Sequence, residues 1–139
     1  MHITSDDFTE DSVELIQEVH NLAKQMKTKT ITEYHIMVRL WHNLEIDMIH
    51  NDIISSREID ELSDHWFSQI KKQNDSIDNI GINKVVDTVI KSAKTLALEL
   101  EDKQIKPAHL LYAMYKSKSP VRDVLKQHDL TPIKILKLL

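Results

Sequence analysis

Ile31-Thr-Glu-Tyr-His35 returns 74 residues later as Ile105-Lys-Pro-Ala-His109, and this recurrence decides the fold. The flanks keep the same offset. Leu15, Ile16, Val19, Leu22, Ala23 and Met26 precede the first copy, and Val89, Ile90, Ala93, Leu96, Ala97 and Leu100 precede the second. Behind the histidines, Ile36, Met37, Leu40 and Trp41 correspond to Leu110, Leu111, Met114 and Tyr115. Apolar residues at steps of one, three and four mark a helix with one buried face. A fixed internal period marks a fold built from copies of one unit. One helical unit is therefore written twice.

Working outward, residues 10–27 read as a helix. Thr9 caps it, and Glu10 and Asp11 favour the positive end of its dipole. Thr32 caps a second helix through Trp41, and Ile46 to Ile54 reads as a short third. Ser55-Ser-Arg-Glu58 has capping-box spacing and opens a fourth, carrying Ile59, Leu62, Trp66 and Ile70. In the second copy Asn83 caps a helix to about Leu100. Pro107, Pro120 and Pro132 each suit a first helical position, where a missing N–H costs nothing, and Ser119 and Thr131 precede two of them as caps. The expectation is an all-α chain of about eight helices, in two four-helix repeats related by pseudo-twofold symmetry. It forms a single domain over residues 1–139: repeat one at about 8–72, a polar connector at about 73–81, and repeat two at about 82–139. A four-helix unit of this size buries limited apolar surface alone. Two units sharing a face solve that problem and leave a groove where they meet, a common place for ligands.

Composition agrees with helices. Apolar residues make up 41% of the chain, with one glycine, Gly81, and three prolines. An all-β domain needs more turn residues. The net charge is −4 and no Lys/Arg-rich stripe stands out, which argues against a nucleic-acid partner. Without cysteine there is no disulfide, thiolate metal site or cysteine nucleophile. The polar start, Met1 to Asp7, does not read as a signal peptide, and no apolar run reaches the roughly 20 residues that span a bilayer. A cytoplasmic protein is expected.

Chemistry is hard to find. The eight histidines do not form paired Glu-x-x-His motifs, and H-E-x-x-H is absent. Asp47 with His50, and Glu61 with His65, share helical faces but lack further ligands. His35 and His109 read as packed histidines bonded locally near helix starts. There is no G-x-S-x-G elbow and no phosphate loop. The chain is expected to be no enzyme, with no cofactor and no metal.

The doubled Ile-x-x-x-His element, with Phe8-Thr-Glu10 ahead of it and Val121-Arg-Asp-Val-Leu-Lys-Gln-His-Asp-Leu130 behind, resembles the N-terminal domain of Clp-type AAA+ chaperones over nearly the whole chain. The resemblance implies a docking module that captures unfolded or tagged substrates or adaptor proteins and passes them to a Clp ATPase ring in cis. A stand-alone relative that sequesters substrates, adaptors or inhibitors is the alternative, and the downstream coding sequence separates the two. Members of the ClpC type read Ile-Gly-Thr-Glu-His in both repeats, with the glutamate helping to bind phosphoarginine. Aligned on Ile and His, that position holds Tyr34 and Ala108, and Glu33 falls one residue early. The glycines usual before the Ile are replaced by Lys27-Thr-Lys-Thr30 and Glu101-Asp-Lys-Gln104, and the threonine that starts each repeat survives as Thr9 but not at Asn83. The chain is thus identified as a divergent member. The binding surface is expected at the inter-lobe groove and the lobe starts: Phe8, Thr9, Tyr34, Ile82 and Asn83.

Overall fold

The structure, a computed structural model, describes residues 3–70 and 80–139. Seven α-helices make up most of it: α1 Glu10–Gln25, α2 Glu33–His50, α3 Ser56–Ser68, α4 Lys84–Glu99, α5 Pro107–Lys116, α6 Pro120–Gln127 and α7 Pro132–Leu136. A 3-10 turn, Ser5–Asp7, precedes α1. Two very short strands, β1 Thr30–Ile31 and β2 Gly81–Ile82, pair in parallel. Most of the expected connector lies outside the described residues. Its last residue, Gly81, pairs with Thr30 and so already belongs to the packed structure.

The helix count differs from expectation at one place. The expected second and third helices of repeat one are a single helix, α2. Nothing between Trp41 and Ile46 stops it, and Met37, Leu40, Trp41, Leu44 and Met48 continue one buried stripe through the join. Repeat two does break at the matching point. There Ser117 leaves the helix with ψ 151°, and Pro120 restarts it. All three prolines stand at helix starts, as their φ restriction favours. Ser119 occupies the N-cap position of α6, but its hydroxyl meets Ser117 Oγ at 3.2 Å rather than a helix N–H.

Helix ends also repeat. α1, α2, α4 and α6 each close with a residue at positive φ: Lys27 (53°), Asp52 (53°), Glu101 (60°) and Asp129 (57°). Behind each, two N–H groups return to the last turn: Thr28 N to Ala23 O and Lys27 N to Lys24 O in α1, Asp102 N to Ala97 O and Glu101 N to Leu98 O in α4. These are Schellman closures, which usually use glycine. Here none does.

The main core is shared between the repeats, and only a small cluster of Leu22, Met26 and Ile70 belongs to repeat one alone. One buried cluster runs from Leu15, Val19, Met37, Leu40 and Trp41 of repeat one to Val89, Leu110, Leu111 and Met114 of repeat two. α2 and α5 meet at the centre of the molecule. The tryptophans Trp41 and Trp66 are buried edge to face, 5.9 Å apart, and the Trp41 indole donates to Ile59 O at 3.2 Å.

Candidate functional site

The two copies of the recurring element do the same work. In each, the histidine folds back on its own helix start. His35 Nδ1 accepts the Thr32 N–H at 2.9 Å, and His109 Nδ1 accepts the Lys106 N–H at 2.8 Å. That places the proton on Nε2, which faces Thr28 Oγ1 at 2.9 Å in one copy and Asp102 Oδ2 at 2.9 Å in the other. Both rings are buried. Burial pushes both imidazoles below their ordinary pKa. Glu33 opposes the shift at His35, and the Asp102 hydrogen bond opposes it at His109. These histidines are structural fasteners.

The lobe starts cross over. Phe8 bridges to Ile105, and Thr9 N donates to Ile105 O at 3.0 Å. Symmetrically, Ile82 pairs with Ile31, and Asn83 N donates to Ile31 O at 3.0 Å. Each lobe start is thus stitched to the segment ahead of the other lobe's histidine. Thr9 and Asn83 then cap α1 and α4 through Ser12 N (3.4 Å) and Val86 N (2.9 Å). An ion pair between Lys94 Nζ and Asp7 Oδ1, 2.7 Å long and largely shielded from solvent, adds a further cross-lobe tie.

The five residues expected at the site do not converge. Phe8 is only 8% exposed and belongs to the core. Thr9 lies beside it on the Ile105 side. Ile82 and Asn83 are at the other crossing, where Asn83 Nδ2 donates to Glu33 Oε2 at 2.8 Å. The Tyr34 ring lies tilted against Trp66, centroids 6.4 Å apart, and lines a concavity of about 270 Å³ with Thr28, Thr30, Thr32, Glu33, His35 and Gln69. Burial and the neighbouring Glu33 carboxylate raise its phenol pKa.

The expected groove is present and apolar. A cavity of about 220 Å³ lies between α1 and α4 beside the β1–β2 crossing. Leu15, Ile16, Val19, Ile31, Ile36, Ile80, Ile82, Val86, Ile90 and Leu110 line it, with His20 at its edge. Ile16 with Ile90, and Ile36 with Leu110, are repeat equivalents. The groove therefore sits on the pseudo-twofold axis. Of the expected residues only Ile82 lines it; it is 48% exposed. The lining residues Ile16 and Ile90 had a signal in the sequence: both are the extra apolar position next to the buried stripe, in both copies.

No group of three or more metal-ligating side chains occurs among the described residues, and none of their helices is long and apolar enough to cross a membrane.

Solved structures share this fold. The N-terminal domain of Hsp104 from Candida albicans superposes with a TM-score of 0.80 at 18% identity, covering 95% of this chain and 88% of that one. The N-domain of ClpV from Vibrio cholerae gives 0.76 at 13% identity, covering 99% and 91%. A ClpV N-domain in complex with a VipB peptide gives 0.67 at 13% identity, covering 93% and 88%. Among curated proteins none matches the sequence significantly. The Clp repeat (R) N-terminal domain family matches residues 7–128, nearly the whole doubled unit. The chain belongs to the Clp repeat N-terminal domain family.

Proposed function

We propose that the chain is a docking module that holds an apolar segment of an unfolded or tagged substrate, or of an adaptor protein, in the groove on its pseudo-twofold axis. It delivers that protein to a Clp ATPase ring in the cytoplasm. The observation that carries this reading is the groove lining: ten apolar side chains and one histidine. Small-molecule sites are commonly about 300–1,000 Å³ and carry a few convergent polar groups. This groove is smaller and offers no such anchors, which suits one or two apolar side chains of a peptide. Each such side chain gains about 1.5–3 kcal/mol on burial, and association costs consume much of that. Binding is therefore weak and reversible, as a handover requires. The ClpV N-domain that carries a VipB peptide supports peptide docking on this fold. A phosphoarginine ligand is not favoured, because Glu33 is bonded to Asn83 and Ala108 is 2% exposed.

The test is anisotropy with labelled apolar peptides cut from an unfolded model protein. Ile82→Asp and Ile90→Asp, on the rim of the groove, should each weaken binding by at least about tenfold with the helical circular dichroism unchanged. Equal affinity in both variants rejects the groove as the site.

A further inference from the structure

We propose a second docking surface, on the α5–α6 corner of repeat two, that takes an acidic segment of a partner protein. The two repeats share a fold but not a charge. Residues 3–70 carry 14 Asp and Glu against 5 Lys and Arg, whereas residues 80–139 carry 6 against 11. Within repeat two the excess gathers at one place. Lys116, Lys118, Arg122 and Lys126 fall within eleven residues, with Asp123 as the only acid among them. Lys116, Lys118 and Lys126 are exposed and Arg122 is half-buried. Among the described residues, Lys118, Arg122 and Lys126 make no ion pair; Lys91, Lys94, Lys106 and Lys134 in the same repeat are paired, and its other unpaired lysines, Lys84, Lys103 and Lys137, stand singly rather than in a cluster.

The fold does not require these charges, and repeat one is the internal control. Lys116 matches His42 at the 74-residue offset. Counting back from the matching Schellman residues Asp129 and Asp52, Arg122 corresponds to Glu45 and Lys126 to Ile49. The same surface in repeat one has no Lys or Arg between Trp41 and Asn51. A cluster of unpaired like charges repels itself, so a folded chain gains nothing by gathering them.

The shape suits an extended segment. Lys118, Pro120, Arg122 and Lys126 line a shallow concavity of about 410 Å³, with Asp123 its one acid against three cations. On the other side of Lys116, a second concavity of about 480 Å³ lies between α4 and α5, bounded by Lys91, Thr95, Tyr112 and Lys116 with Glu99 as its one carboxylate. Lys116 Nζ sits 5.6 Å from the centre of the Tyr112 ring, which holds this lysine near the junction of the two. The cations are therefore spread along a track. A peptide with several carboxylates fits it, and a single small anion does not. Such contacts steer encounter and are screened by salt.

The surface is distinct from the apolar groove, so the two readings fail separately. The test uses the whole chain and a fluorescein-labelled peptide of alternating Glu and Ser, titrated by anisotropy at about 20 mM and about 150 mM salt. The expected result is saturable binding that weakens at the higher salt. In the variant Lys118→Glu/Arg122→Glu/Lys126→Glu it should fall by at least about tenfold, with apolar-peptide binding and circular dichroism unchanged. A charge-reversed variant that binds as well as the parent overturns the proposal. So does a single-stranded oligonucleotide that binds more tightly than the peptide through the same cations. Low-salt sedimentation showing a dimer abolished by the triple variant also overturns it, because the occupant is then the acidic lobe of a second copy.

Discussion

At the residue scale, the histidines decide how the molecule responds to acid. Nδ1 of His35 and of His109 accepts a backbone N–H, so neither ring takes a second proton without losing that bond. The unfolded chain protonates both near the ordinary value of about 6.5, while the folded chain resists. A depressed folded pKa gives stability that is complete above about pH 6.5 and declines as pH falls toward the folded values. Urea unfolding should therefore show a midpoint that drops between about pH 7 and pH 5, and His35→Ala should flatten part of that slope. A midpoint that is level or rises across this range contradicts the fastening role. The left-handed cap residues give a second prediction. Lys27 and Glu101 hold positive φ without a glycine. Lys27→Gly and Glu101→Gly should each stabilise the fold by roughly 0.5–1 kcal/mol, because relief of αL strain outweighs the extra freedom of the unfolded chain. Thermal unfolding of each single variant checks this.

At the element scale, the cross-lobe stitching makes the two repeats one cooperative unit. Asn83 caps α4 and also donates to Glu33, which is only 9% exposed. Asn83→Ala should cost about 2 kcal/mol: about 1 for the cap and a similar amount for leaving a shielded carboxylate without its donor. A loss no larger than that of an ordinary cap means that the Glu33 contact contributes nothing. Phe8→Ala should cost about 3–5 kcal/mol, since its ring is in the core. Much of this scale was legible from local chemistry. Proline at position N1, capping threonines and the Ser55–Glu58 box act within one turn, so the sequence shows them directly. The unbroken α2 was harder to read. Whether a helix crosses His42–Glu45 depends on Leu44 and Met48 finding partners in the core, and that is a tertiary fact. Phe8 misled for the same reason. Next to a cap it reads as a rim residue, and only its bridge to Ile105, 97 positions away, buries it.

At the scale of the whole molecule, the pseudo-twofold arrangement creates the groove. Its walls come from residues far apart in the chain, so the internal repeat foretold that a groove exists but not which side chains line it. Ile16 and Ile90 were visible as paired apolar positions beside each stripe, whereas Ile80 and Val86 had no distinguishing mark. The distribution of charge is also a whole-molecule property. An overall value of −4 conceals an acidic lobe joined to a basic one, which gives the module two surfaces of different chemistry, one apolar and one cationic. The central claim is that the groove on the axis is where partner protein docks. The groove is rich in isoleucine, so methyl NMR tests this directly. On titration with an apolar peptide, the methyl signals of Ile16, Ile82 and Ile90 should shift together and saturate. Those of Ile46 and Ile133, the most exposed isoleucines among the described residues at 75% and 73% and both outside the groove, should stay in place. Shifts confined to Ile46 or Ile133, with the groove methyls unmoved, would contradict the account.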